Sequence, residues 1–252
     1  VIRLTLNLRR GTSTMRFGEA PAWSLFGRNH GLSEFVGENA SPTVTPTKAA
    51  AICSGKRVIC LWHGYRVEDP TNAYLQILAR LEGLYDVAIL GWWPGSDWLL
   101  GFWFAGRRAD EAGRRAAAAL APIAALASAF DIEGHSLGCR VTMEALGNGL
   151  TVRNAILAAP AIDNESLQQG ERYGYAVCRA RRVLVAHSER DDVLREMYLI
   201  GKQDRALGLR GAQDRAWCAP NISFVDCSAT AGGHSAYKSD PTFFAAWEEM
   251  LR

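Results

Sequence analysis

Six cysteines stand at Cys53, Cys60, Cys139, Cys178, Cys218 and Cys227, with no C-x-x-C pair and no dense cluster among them. Spread over 252 residues, they exclude a disulfide-stapled mini-scaffold and a thiolate zinc site. The expectation is a reduced, cytoplasmic protein with small buried thiols. No H-E-x-x-H and no Cys/His cluster at ligand spacing occurs, so nothing in the sequence supports metal chemistry. A G-x-G-x-x-G or Walker-type loop after a strand is also missing, which argues against nicotinamide and nucleotide folds. Charge of one sign is scarce: 28 Lys and Arg against 26 Asp and Glu leave +2, too little for a nucleic-acid binder. No run reaches the roughly 18 to 20 apolar residues that cross a bilayer. The opening VIRLTLNLRR carries its arginines after the apolar residues, the reverse of a secretory signal.

What is present is an alternation of short apolar runs and helical patterns. Residues 1–55 read as an extension of strands and loops: residues 1–10 alternate at period two, and 37–48 (GENASPTVTPTK) read as a loop. The extension is either an added arm or part of the sheet. From residue 56 to 252 the strand candidates are RVICLW (57–62), VAIL (87–90), FDIEG (130–134), AILA (155–158), RVLVA (182–186) and ISFV (222–225). Helical spacing fills the gaps, over 73–81, 109–127 with Pro122 as a kink candidate, 138–146, 193–207 and 241–251. Short, fully apolar strands between helices predict an α/β fold, with a mostly parallel central sheet covered by helices on both faces.

The strongest local motif is Gly134-His135-Ser136-Leu137-Gly138, between a predicted strand and a predicted helix. A serine on such a sharp turn is pushed into open space, and glycines two residues away let the chains approach. The Leu137 N–H then sits at a helix N-terminus, where it can donate to an oxyanion. His63-Gly64-Tyr65 closes the first central strand, and the N–H of Gly64 or Tyr65 is the candidate second donor.

Ser136 needs a base, and of the histidines only His187 and His234 follow it. His187 ends an apolar run and reads as packed. His234 lies in the loop Ala231-Gly232-Gly233-His234-Ser235, where a base can reach across strand ends. The acid that orients it should follow an intervening strand. Ser188-Glu189-Arg190-Asp191-Asp192 offers three carboxylates; Asp191 is favoured, with Asp192 open as a helix cap or as the acid, and Glu189 behind them.

With Ser136, Asp191 and His234 in that order, the chain resembles the α/β-hydrolase superfamily. More narrowly, His63-Gly64-Tyr65, Gly91-Trp92-Trp93-Pro94, the Ser136 turn, Ser188 to Leu194 and Gly233-His234-Ser235-Ala236-Tyr237 look like a bacterial group of serine-esterase-like hydrolases. Many of its members have no assigned substrate. The resemblance covers residues 56–252 and implies an eight-stranded, mostly parallel sheet, no cofactor and a small-molecule ester or acyl substrate.

Aromatics gather between Trp92 and Phe104. Trp92, Trp93, Trp98 and Trp103 are candidate walls of an acyl pocket, with core packing as the competing role. The expected activity is cleavage of a carboxylic ester or thioester through an acyl-enzyme. A silent hydrolase-like binding domain and an amidase or peptidase are the alternatives. Neither the acyl chain nor the oligomeric state can be read from the sequence.

Overall fold

The computed structural model describes residues 1–10, 12–16, 32–33, 43–65, 71–95, 102–201 and 205–252. The chain opens with β1 (Ile2–Arg10) and β2 (Thr12–Arg16), followed by a short pair, β3 (Leu32–Ser33) and β4 (Thr43–Val44). Then come α1 (Pro46–Cys53), β5 (Arg57–Trp62), α2 (Thr71–Arg80), β6 (Val87–Trp92) and α3 (Phe102–Leu126). The rest is β7 (Ala129–His135), α4 (Gly138–Gly147), β8 (Val152–Ala158), β9 (Ala180–His187), α5 (Asp192–Gly201), α6 (Leu207–Arg210), β10 (Ile222–Asp226) and α7 (Pro241–Leu251).

Eight strands form one sheet in the order β10-β9-β8-β7-β5-β6-β1-β2. Every neighbouring pair is parallel except β1 and β2. β5, β6 and β9 are buried almost throughout, which is why they read as unbroken apolar runs rather than as alternating ones. Their register fixes the site. Trp62 pairs with Gly134, His135 with Ala158, Ala158 with Ala186, and His187 with Asp226. The loops that follow β5, β7, β8, β9 and β10 therefore leave the sheet along one edge. The chain runs from β5 to β6 on one side and then to β7 on the other, so the loops after β5 and β7 diverge at a switch point, where open α/β sheets form a crevice.

Residues 1–10, read as a strand and left open as part of the sheet, form an inner strand of it, with β1 pairing in parallel with β6 from Ile2↔Val87 to Asn7↔Trp92. Several other elements depart from the sequence reading. Part of the stretch read as loop at 37–48 starts a helix: Thr45 caps α1 through its Oγ1, which accepts the Lys48 N–H at 3.2 Å, and Pro46 opens the first turn. The helix expected from 109 begins at Phe102 and contains Pro122. The helix expected over 193–207 is two, α5 and α6. Four cysteines are buried, but Cys178 is exposed and Cys218 is half-buried, so the expectation of buried thiols fails at those two. Among the described residues no helix is long and apolar enough to cross a membrane, and no group of His, Cys, Asp and Glu could hold a metal ion.

Candidate active site

Ser136 sits between β7 and α4 with φ of 57°, a left-handed conformation that costs a non-glycine residue about 1 to 2 kcal/mol. Three backbone bonds hold it there: Ser136 N–H to the Ala158 carbonyl at 2.8 Å, and Ala161 and Cys139 N–H to the Ser136 carbonyl, both at 3.1 Å. The flanking glycines are required by space. A Cβ on Gly138 would lie 2.4 Å from the Trp62 carbonyl oxygen, and one on Gly134 would lie 2.6 Å from Gly138 O. Only bare backbone lets α4 start this close to the end of β5. The Leu137 N–H donates to no described residue.

The loop after β5 is clamped from below. His63 N–H donates to the Tyr74 hydroxyl at 2.9 Å, and that hydroxyl donates in turn to the Gly91 carbonyl. Trp93 stacks on the His63 ring with centroids 5.6 Å apart, and its indole N–H donates to the His63 carbonyl at 2.7 Å. His63 Nδ1 lies 2.8 Å from the Gly64 carbonyl oxygen, and the Trp93 backbone N–H approaches Nε2 at 3.4 Å. A carbonyl accepts and an N–H donates, so both contacts select the tautomer with the proton on Nδ1. Fixing the Gly64 carbonyl fixes the Gly64–Tyr65 peptide plane, with the Tyr65 N–H on the side opposite His63. Gly64 is pressed onto the serine turn: a Cβ there would stand 2.9 Å from Ser136 Cβ.

His234 Nδ1 lies 2.7 Å from Asp191 Oδ2, and Asp191 is fully buried. The other oxygen, Oδ1, accepts the Leu194 N–H at 2.9 Å, so one carboxylate caps α5 and orients the imidazole. Asp192 is exposed, and its Oδ1 accepts the adjacent Val193 N–H at 3.0 Å. Glu189 pairs with Arg210 at 3.0 Å. Ser188 Oγ donates to the Ala231 carbonyl at 3.0 Å, tying the acid loop to the histidine loop. His187 ends β9 and faces Arg215 Nη2 at 3.2 Å, with its pKa lowered chiefly by burial.

His135 joins the serine turn to the histidine loop. Its Nε2–H donates to the His234 carbonyl at 2.8 Å, and the two rings pack with centroids 4.8 Å apart. Burial first, then the His234 charge, push its pKa down to about 3, so His135 is a neutral prop. Ser136 is 5% exposed, and its Oγ has no hydrogen-bond partner among the described residues. Contacts of this kind are often loose until a substrate arrives.

Of the four tryptophans expected to wall a pocket, Trp92 and Trp93 are buried, with exposures of 4% and 0%. Trp93 is a strut under His63. Trp98 and the Trp103 side chain lie outside the described residues. The cavity at His234 measures about 90 Å³ and is lined instead by Trp62, Tyr74, Glu133, His135 and Lys238 among others. Glu133 is the residue the sequence reading passed over; the signal was a carboxylate inside a strand otherwise read as buried.

Burial pushes the Glu133 carboxyl up from 4.5 to about 8, against a smaller opposing pull from Lys238. Below pH about 4.5 it is neutral in folded and unfolded chains alike. Between there and about 8 the unfolded chain ionises first, so stability declines as pH rises and then levels off. Discounted for relaxation around a cavity, the loss is about 3 kcal/mol. Denaturant titrations at pH 5 and pH 8.5 should show the wild type losing about 3 kcal/mol relative to Glu133→Gln over that interval, because the buried His135 and His187, which gain stability as pH rises, act alike in both chains and cancel in the difference. Equal profiles would mean that Glu133 is not the group responsible.

The sequence matches no protein-family model and no curated protein. Solved structures do resemble the fold. TT1662 from Thermus thermophilus is 16% identical with a TM-score of 0.48, over 79% of this chain and 90% of that one. The product of gene lin2722 from Listeria innocua is 9% identical with a TM-score of 0.52, over 78% and 94%. The esterase domain of a Rhodothermus marinus protein is 17% identical with a TM-score of 0.45, over 77% and 83%. At 9% identity the likeness to the Listeria product is one of fold. That likeness, the parallel sheet with β5 between β6 and β7, and a strained serine between β7 and α4 give the conclusion that this chain has the α/β-hydrolase fold.

Proposed function

We propose that the protein is a serine hydrolase that cleaves a carboxylic ester or thioester through an acyl-enzyme, with Ser136 as nucleophile, His234 as base and Asp191 as the acid that orients it. The observation that carries this reading is the 2.7 Å contact between His234 Nδ1 and a buried Asp191, on a loop that His135 fastens to the serine turn. The Asp191 contact keeps the His234 proton on Nδ1 and leaves Nε2 as a bare acceptor. His234 takes the hydroxyl proton as Ser136 Oγ attacks the carbonyl carbon. Charge that develops on the carbonyl oxygen is met by the Leu137 N–H at the start of α4 and by the N–H of Tyr65 or Gly64. Such a donor contributes about 10²- to 10³-fold in rate. The imidazolium then protonates the leaving alcohol or thiol. Water, deprotonated by the same imidazole, attacks the acyl-enzyme, and the acid and Ser136 are released.

A fluorophosphonate probe provides the test. One equivalent should add to Ser136, identified by peptide mass, and none should add to Ser136→Ala. Short-chain p-nitrophenyl esters should be hydrolysed and the hydrolysis blocked by the probe. A folded protein that neither labels nor turns over esters, thioesters or amides would be a binding domain and not a hydrolase.

A further inference from the structure

Alternate residues of β7 share one face of the sheet, and there Asp131 and Glu133 have opposite fates. Asp131 is fully buried and fully engaged, by the Tyr85 hydroxyl at 2.7 Å, the Arg153 guanidinium at 2.5 and 2.9 Å and the Asn154 N–H at 3.0 Å. Glu133, two residues on, is 1% exposed and lines the cavity at His234, yet its Oε2 has no hydrogen-bond partner. Leaving such an atom unpaired carries the full cost of taking it out of water. An orphaned, buried carboxyl beside a cavity marks a place that a polar guest completes.

The chemistry of the walls narrows that guest. Lys238 lines the cavity and lies close enough to act on the Glu133 charge, which disfavours a cation. Glu133 itself disfavours an anion whenever it is ionised. A hydroxyl suits both conditions, because it donates to the Glu133 carboxylate or accepts from the protonated carboxyl. The aromatic walls at Tyr74 and Phe243 suit the C–H faces of a small polyol. His234 also lines the cavity, and in the reaction above it hands its proton to the departing oxygen, so the departing portion of the substrate is the part nearest this cavity.

We propose that the cavity is a subsite for a neutral, hydroxyl-bearing alcohol portion of the substrate, held by Glu133. The proposal rests on the serine-hydrolase reading and names the substrate class of that site. Hydrolysis releases this portion as a small polyol and the acyl portion as the acid.

Two esters with one acyl group and one carbon count make the test, 2,3-dihydroxypropyl butyrate and propyl butyrate. The wild type should favour the dihydroxy ester by at least about 10-fold in kcat/KM. Glu133→Gln should keep part of that preference, and Glu133→Leu should bring it close to one. Equal rates on the two esters, or a preference that survives in Glu133→Leu, overturns the subsite. Saturation-transfer NMR with glycerol on Ser136→Ala and on Ser136→Ala/Glu133→Leu reads binding without turnover. Glycerol signal that is lost with Glu133 supports the subsite even if no ester is cleaved, in which case the hydrolase reading alone fails. Hydrolysis of both esters without any glycerol signal leaves the hydrolase reading standing and removes the subsite. Thermal melts of each variant confirm that it folds.

Discussion

Ser136→Ala is expected to lower kcat for a short-chain p-nitrophenyl ester by about 10⁵-fold, down to whatever the oxyanion donors and binding provide by themselves. The loss follows from chemistry: alanine carries no oxygen to form the acyl-enzyme, and nothing else at the turn can replace it. Leu137 is apolar, and Cys139 is buried with its thiol given to the Gly134 carbonyl at 2.9 Å. Burial pushes that thiol well above its ordinary pKa, away from the nucleophilic thiolate. The variant should fold normally, because alanine at a φ of 57° is as strained as serine. Ser136→Gly should be more stable than either by about 1 kcal/mol, since glycine adopts that conformation without strain. Steady-state rates beside denaturant midpoints check both halves. Activity retained in Ser136→Ala would remove the nucleophile assignment.

Asp191→Asn should cost about 10⁴-fold in kcat with little change in KM. The amide can keep its oxygen on the Leu194 N–H, where Asp191 Oδ1 now accepts at 2.9 Å, so the cap of α5 survives. Its NH₂ then faces His234 Nδ1 in place of the carboxylate oxygen at 2.7 Å. Two donors cannot share that contact, so the imidazole moves its proton to Nε2 and can no longer accept from Ser136. Asp191→Ala should lose the same activity and about 1 kcal/mol of stability besides, because the cap goes too. Asp192→Asn changes an exposed side chain that bonds only to its neighbour's N–H, and its rate should stay within about twofold of wild type. If Asp192→Asn were the damaged variant, the acid would be assigned to the wrong residue.

The serine turn was legible because it is local. Five consecutive residues specify a strand end, a strained φ and a helix start, and the glycines are demanded by backbone atoms within a few positions or at the adjacent strand end. The parallel sheet was legible for a similar reason: strands buried on both faces carry runs such as RVICLW and VAIL that solvent-facing strands cannot. Helix α1 was missed because turn formers dominate its approach, although Thr45-Pro46 is a start signal. Trp93 was left open between pocket wall and core packing because aromatics after a strand are ambiguous, and its use depends on where His63 lies.

By itself, then, the amino-acid sequence determined the α/β alternation and the serine turn, since each depends on residues close together in the chain, and it offered Asp191, Asp192 and His234 as candidates to act with that turn. The tertiary structure decided the rest. It set Asp191 rather than Asp192 against His234, slid β1 into the sheet beside β6, turned Trp93 under His63 and left Glu133 without a partner beside a cavity. Those outcomes depend on which strand ends meet and which way neighbouring side chains point once they do, and neither quantity exists until the sheet has assembled.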